Sequence, residues 1–94
     1  LKKDIFPLEN ALEKILRLRG VEYFWKDENK TQGKQIGVIA QEIEKEFPEL
    51  VLEDNEGIKS VNYAALTAPL IEAIKEQQEQ INALRQEIKE LKKK

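Results

Sequence analysis

The chain has 94 residues, of which 40% are hydrophobic and 36% charged, a balance typical of one ordered domain and not of a disordered tail. It contains no cysteine and no histidine, which excludes disulfides, thiol nucleophiles, the usual zinc sites and a Ser-His-Asp triad. With 16 basic and 18 acidic side chains it lacks the positive excess that nucleic-acid binding requires, and its apolar runs are too short to cross a membrane.

The first predicted element is an amphipathic helix over residues 5–19. Its apolar side chains recur at helical spacing, Asp4 is placed to cap its start, and Gly20 is placed to end it. Pro7 falls in the first turn, where a missing N–H costs little.

Short strands are predicted to follow, at residues 21–25 and 35–39, with a polar turn over 27–33 between them. Gly37 marks a bulge or a close backbone approach. The aromatic side chains of the first strand are expected to pack against the helix instead of forming a binding platform.

A second helix is predicted over residues 40–47 and ends before Pro48, and a hairpin is predicted around the turn at 54–57. Residues 1–62 are therefore expected to form a small α+β head with short strands and two helices. Seven acidic side chains fall between residues 42 and 56 against one base, Lys45, and we interpret them as a solvated surface. We expect no bound metal, because the turn at 54–57 lacks the acidic spacing of a calcium loop. We also expect no cofactor.

Residues 63–94 are predicted to form one long helix, capped by Asn62 and either kinked or started afresh at Pro69. Along it, positions separated by alternating steps of four and three residues form the seam of a coiled-coil stalk. These positions are Leu70, Ile74, Gln77, Ile81, Leu84, Ile88 and Leu91.

A seam of this kind facing water is unfavourable, so copies of the same chain are expected to cover it. Isoleucine at the a positions and leucine at d favours a parallel dimer, whereas Gln77 places a polar group in a d layer, and the residues alone leave two or three strands open. Glu87 at g and Lys92 at the following e carry opposite charges and would meet in a parallel bundle.

Several stretches resemble the C-terminal intramolecular chaperone domain of endosialidases, which also ends many phage tailspikes and tail fibres. In chain order these stretches cover nearly the whole sequence. They are LKKDI (1–5), LEKILRLRG (12–20), VEY (21–23), IGVIAQE (36–42), FPELV (47–51), VNY (61–63), Leu66 and LIEAIK (70–75).

The resemblance implies a domain that trimerises, aligns the chains of a fibrous or β-helical protein while they fold, and is then released by self-cleavage. The family cuts itself with a serine and a lysine in the arrangement Ser-Asp-x-x-hydrophobic-Lys. Leu1 matches the hydrophobic residue and Lys2 the lysine, so the catalytic serine is expected upstream of Leu1. A lysine that has lost its proton can act as base to a serine without histidine. Ser60, the only serine present, is not expected to be catalytic, so this chain is expected to be inactive by itself.

Because the sequence contains no methionine, we expect Leu1 to lie inside a longer chain. The expected partners are other copies of the chain and the upstream fibre of its own parent, with no nucleic acid and no membrane. If the parent is phage-encoded, the domain acts in the host cytoplasm during virion assembly. The alternative is a permanent coiled-coil oligomerisation module in a self-cleaving regulator or scaffold.

Overall fold

The computed structural model describes residues 1–25 and 33–94. In chain order its elements are α1 Ala11–Leu16, β1 Val21–Tyr23, β2 Gln35–Gly37, α2 Ala40–Glu46, a 3₁₀ turn Pro48–Leu50, β3 Val51–Glu53, β4 Lys59–Val61 and α3 Tyr63–Lys92. Short strands, two short helices and a long C-terminal helix confirm the predicted α+β fold. Most of the turn predicted at 27–33 lies outside the described residues. Within the described part of the chain, no helix combines the length and the apolar character that a membrane span needs.

The described residues form two compact units. The arm-and-helix unit consists of Leu1–Ile15 and Ala64–Lys94, and the hairpin unit consists of Leu16–Tyr63. In the arm-and-helix unit, the residues before α1 form an arm, residues 1–10, without helix or strand.

Two antiparallel strand pairs and α2 make up the hairpin unit. Strands β1 and β2 pair with Val21 opposite Gly37, and β3 and β4 pair with Val51 opposite Val61. Three apolar side chains are buried in this unit, each with at most 8% of its surface exposed. They are Ile43 in α2, Phe47 directly after it, and Leu50 in the 3₁₀ turn. Burial of one such side chain contributes about 1.5–3 kcal/mol, so these three residues supply much of the stability of this unit.

The connection between β3 and β4 is held by the side chain of Asp54. Its Oδ1 atom accepts hydrogen bonds from the backbone N–H groups of Glu56 at 2.8 Å and Ile58 at 2.9 Å. Gly57 has a φ of 80°, a left-handed conformation that glycine adopts without steric cost. The hairpin predicted around residues 54–57 is therefore present, with its turn organised by an aspartate.

The first helix is much shorter than the predicted span of 5–19. Residues 5–10 are not helical, so the prediction that Asp4 caps the helix and Pro7 lies in its first turn was wrong. Asn10 has a φ of 61°, which a right-handed helix cannot accommodate, and α1 begins immediately after it. Six residues do not form a stable helix alone, so α1 depends on its tertiary contacts.

The last helix, α3, begins at Tyr63 as predicted and runs for 30 residues, about 45 Å at about 1.5 Å per residue. Pro69 lies inside it and is buried. The helix continues through Pro69, so the alternative in which it starts afresh at this proline was wrong. One unbroken helix therefore carries the whole predicted seam.

Gly37 is the site of a close backbone approach, as predicted. A Cβ atom built on Gly37 would lie 2.8 Å from Tyr63 Oη and 3.3 Å from Tyr23 Cε1. The same Tyr63 hydroxyl accepts a hydrogen bond from the N–H of Val38 at 3.4 Å. A side chain at position 37 would thus displace the ring that joins the start of α3 to β2.

We expect Gly37→Ala to lower the free energy of unfolding by about 1 kcal/mol, because Tyr63 must move and its hydrogen bond to Val38 is lost. Gly20→Ala is the matched control, since no atom of the described residues other than its chain neighbours lies within 4 Å of the position that an added Cβ would occupy. That control should be neutral or stabilise by up to about 1 kcal/mol. Urea unfolding of both variants checks the prediction, and equal effects at the two positions would contradict it.

Candidate functional site

The predicted seam forms an apolar stripe on α3 that is exposed to solvent along its length. The six apolar side chains of the stripe have between 42% and 67% of their surface exposed: Leu70, Ile74, Ile81, Leu84, Ile88 and Leu91. Gln77 is exposed as well. From residue 77 onward every residue of α3 is exposed, so within the described residues nothing covers this part of the helix.

A different face of α3 is covered by the chain itself. Ala73 is 4% exposed and lies in a cluster with Ala11 and Leu12 of α1, which are 0% and 6% exposed, and Ile15 packs against this cluster. The small side chains of Ala11 and Ala73 allow the two helices to approach closely.

Glu76 adds a polar contact on the same face. Its Oε2 atom accepts a hydrogen bond at 3.3 Å from the backbone N–H of Leu12. This N–H belongs to the first turn of α1, where helical N–H groups lack partners within the helix. A carboxylate also interacts favourably with the positive end of a helix. Glu76 was not singled out from the sequence, and its spacing of three residues from Ala73 is the only signal that places the two on one face.

The covered face and the apolar stripe lie at different angles around α3. In the heptad register, Ile74 is at a and Gln77 at d, whereas Ala73 is at g and Glu76 at c. Successive residues are separated by about 100° around the axis of a helix, so Ala73 points well away from Ile74. The packing of α1 therefore leaves the a and d positions open to a partner.

Lys2 lies in the arm and is exposed. The arm contains two non-glycine residues with positive φ, Asp4 at 54° and Asn10 at 61°. Asn and Asp adopt this conformation more readily than other side chains, so the arm can change direction at both positions. The catalytic role of Lys2 and the role of the seven seam residues stay predictions.

The hairpin unit contains an open groove of about 700 Å³ that was not predicted from the sequence. Tyr23, Trp25 and Tyr63 contribute rings to it, and Ser60 of β4 lies along its wall. The rings of Tyr23 and Trp25 meet edge to face, with 5.4 Å between their centres. Trp25 is 49% exposed and Phe24 67%, so the expectation that these two side chains pack into the core was wrong.

The acid-rich stretch between residues 42 and 56 is partly neutralised by basic side chains from other elements. Arg17 pairs with Glu46 at 2.9 Å, and Lys59 pairs with Glu44. Arg19 donates two hydrogen bonds to the carboxylate of Glu42: Nη2 lies 2.7 Å from Oε2, and Nε lies 3.0 Å from Oε1. Among the described residues, no cluster of acidic side chains is arranged to hold a metal ion.

These pairs shift the ionisation of their members. The hydrogen bond from Arg19 is the main cause that lowers the pKa of Glu42 below its ordinary value of 4.5. The same contact raises the pKa of Arg19. The hydrogen bond to Glu44 raises the pKa of Lys59. At neutral pH all three groups are therefore held in their charged forms.

Comparison with known proteins identifies a matching family and several similar phage proteins. Residues 1–52 match the family described as chaperone of endosialidase. The long tail fiber protein Gp37 of Salmonella phage S16 is 36% identical over 100 residues, which covers 98% of this chain and 13% of the relative. The Gp37 proteins of Enterobacteria phages Ox2 and K3 are 38% and 37% identical and cover 90% and 80% of this chain.

The match over more than half of the chain places it in the chaperone-of-endosialidase family. The resemblance found from the sequence is thereby confirmed. This chain spans only 13% of the S16 protein and 37% of the Ox2 protein, so most of each relative lies outside the region of similarity.

We expect Glu42→Gln to destabilise the hairpin unit at pH 7 and to have little effect at low pH. Because the pKa of Glu42 is lower in the folded chain, its stabilisation is present above the ordinary value of 4.5 and is lost as the pH falls through the folded value. The measurement is the urea concentration at half unfolding, determined for each variant at several pH values from 7 down to 3. Glu49→Gln is the control, since the described residues supply it with no ion-pair partner. A difference from wild type that stays constant with pH would argue against this role of Glu42.

We expect Glu76→Ala to speed hydrogen exchange at the Leu12 amide by about fivefold, because removal of this hydrogen bond costs about 1 kcal/mol. Glu79→Ala removes a glutamate side chain three residues further along α3, where the residue is exposed. It should leave the exchange rate of the Leu12 amide unchanged. Exchange measured by NMR checks both variants. If the Leu12 amide of Glu76→Ala exchanges at the wild-type rate, the hydrogen bond from Leu12 to Glu76 does not stabilise α1.

Proposed function

We propose that this chain is the C-terminal intramolecular chaperone of a phage tail fibre, and that it trimerises and aligns the fibre chains while they fold. The observation that carries the proposal is the exposed stripe on α3, in a chain that belongs to the chaperone-of-endosialidase family. The tail fibre relatives extend far beyond the matched region, which supports a parent chain much longer than this domain.

Three features of α3 support association of copies through the stripe. First, its apolar side chains are about half exposed over roughly six helical turns, an arrangement that is costly in water. Second, the face that carries Ala73 is already occupied by α1, so the stripe is the face left for a partner. Third, Glu87 and Lys92 stand at g and e positions where a parallel neighbour brings opposite charges together.

Three copies are proposed because the family resemblance implies a trimer. The isoleucine and leucine pattern on its own favours a dimer. Gln77 places a polar side chain in one d layer, where a polar group reduces stability but favours a single register. We assign Gln77 this register role in the assembled bundle.

The chaperone acts, in this proposal, by bringing the fibre chains together before they fold. Association of the stripes converts an encounter of three chains into an event within one assembly, with a high effective concentration of each fibre strand. Pairing between distant segments is the slow part of β-rich folding, and aligned chains shorten that search. The proposed place of action is the cytoplasm of the infected host during virion assembly.

Release by self-cleavage is the second part of the proposal. Lys2, in its neutral form, takes the proton from the hydroxyl of the upstream serine, and the serine oxygen attacks the carbonyl carbon of the preceding residue. The peptide nitrogen takes this proton from Lys2 and leaves as an amine, and water then hydrolyses the ester that has formed between the preceding residue and the serine. Cleavage removes the chaperone domain from the fibre, which then stays folded because its rate of unfolding is slow.

We expect light scattering after size exclusion to give about three times the mass of one 10.9 kDa chain at micromolar concentration. Ile81→Ser removes an apolar a position and should shift the chain toward one-chain mass at the same concentration. Glu79→Ser, on a heptad position away from the seam, should keep the mass of the unchanged chain. A stable two-chain mass would favour the permanent coiled-coil module, and a single-chain mass at all concentrations would contradict association through α3.

We expect the parent chain, expressed with its own upstream segment, to cleave itself in a reaction that Lys2→Ala abolishes. Lys3→Ala is the matched control, and it should cleave at about the wild-type rate because its side chain holds no assigned role in the reaction. Gel electrophoresis with sequencing of the new N-terminus measures both. Cleavage that persists in Lys2→Ala would assign the base to another residue.

A further inference from the structure

The arm carries apolar side chains that its own chain leaves in solvent. Ile5 is 79% exposed and Phe6 is 80% exposed, whereas Ala11 and Leu12 of the adjoining helix are almost completely buried. Adjacent exposed apolar side chains form a contiguous patch, and such patches on protein surfaces often mark contact sites. A contact that is absent from the single chain would explain them.

These side chains belong to a groove between the arm and α3. The groove has a volume of about 540 Å³. Residues 5–8 form one wall and α3 forms the other, through Ala68, Ile71, Glu72 and Lys75. Ile71 is 51% exposed, so the floor of the groove is apolar and open. Lys75 and Glu72 form an ion pair at 3.3 Å, which leaves the polar edge without net charge.

The groove is continuous with the stripe on α3. Ile71 directly follows Leu70, which is a d position of the stripe, and Ile71 is therefore at e. In a parallel bundle the e side of one helix lies against the g side of its neighbour. On this chain the g position level with the groove is Ala73, and α1 covers it there. A second copy that docks through the stripe would thus bring its α1 toward the groove of the first.

We propose that this arm groove binds the α1 flank of a neighbouring copy, so that the interface between copies consists of the stripe and of the arm. The proposal rests on the self-association proposed above and adds a second surface to it. The contact joins two different surfaces, and such a contact closes into a ring when each copy is rotated by the same angle from the last. Each copy would then supply its groove to one neighbour and its α1 to the other.

A second copy fits this groove better than an unrelated partner does. The groove begins at the residue next to the stripe, so one rigid neighbour can cover both surfaces at once. It carries no net charge that would select a charged ligand, and its apolar floor matches the apolar stripe beside it. Covering Ile5, Phe6 and Ile71 together would remove three exposed apolar side chains from water.

The first test compares Phe6→Ser with Ile36→Ser, two equivalent losses of a bulky apolar side chain. Ile36 lies in β2 of the hairpin unit and does not line the arm groove, and its exposure of 79% matches the 80% of Phe6. Phe6→Ser should raise the concentration at which the assembly dissociates by about tenfold or more. Ile36→Ser should change it by less than about twofold. Equal weakening by both variants, or none by Phe6→Ser, would overturn the proposal.

The second test does not depend on the stability of the assembly. The chain has no cysteine, so Phe6→Cys and Glu79→Cys each introduce a single thiol whose reaction with a disulfide reagent can be followed. We expect the thiol at position 6 to react about tenfold more slowly in the assembly than in the dilute single chain, and the thiol at 79 to react equally in both.

Each outcome of the thiol measurement decides the question. An assembly of normal mass whose position-6 thiol reacts freely would overturn the arm contact and leave association through the stripe intact. Protection of this thiol in the single chain would mean that the arm folds onto its own chain, which also overturns the proposal. A single-chain mass at every concentration would contradict the proposed self-association and this inference together.

Discussion

The contact between α1 and α3 decides which face of the long helix is available to other molecules. Ala11 and Ala73 are small enough for the helix axes to come close, and Glu76 accepts a hydrogen bond from the backbone N–H of Leu12 in the first turn of α1. Without this contact a six-residue helix would not form, and both faces of α3 would be open. With it, α1 covers one face of α3, and the side chains at the a and d positions remain exposed. The proposed association of copies depends on this division.

The hairpin unit is held together differently. Among its described residues three apolar side chains are buried, and pairs of strands three residues long add little on their own. Ion pairs of Arg17, Arg19 and Lys59 with α2 and the close contact of Tyr63 with Gly37 join the remaining elements. Exposed ion pairs are individually weak, so a unit of this size gains stability from their number and from the fork geometry of Arg19.

The limited core and the long exposed stripe are compatible with the proposed association of copies. Domains near this size bury too little surface to be very stable alone, and association through the stripe would add the missing apolar contacts. The fold and the order of elements alone do not specify this use. The roles proposed for the stripe, the arm and Lys2 rest on two further findings. The chain belongs to the chaperone-of-endosialidase family, and it is similar to phage tail fibre proteins.

Much of the fold follows from local patterns in the sequence. The alternation of four-residue and three-residue steps from Leu70 to Leu91 identifies one exposed face of a long helix, because helical periodicity is a local property of the backbone. The positions of α2 and of the hairpin of β3 and β4 also follow from neighbouring residues, such as Pro48 and the turn at 54–57. The family, too, is recognisable from sequence motifs alone.

Tertiary structure decided the features that depend on residues far apart in the chain. Asn10 adopts a positive φ and shortens the first helix, which periodicity could not reveal because the apolar spacing continues through it. The bond from Leu12 to Glu76 spans 64 positions and the pair of Arg19 with Glu42 spans 23, so no local pattern records either. A sequence pattern shows that an apolar or charged face needs a partner. Only the three-dimensional arrangement shows that Ala73 has one within the chain and that Ile74 does not, because the choice depends on where the arm and α1 pack.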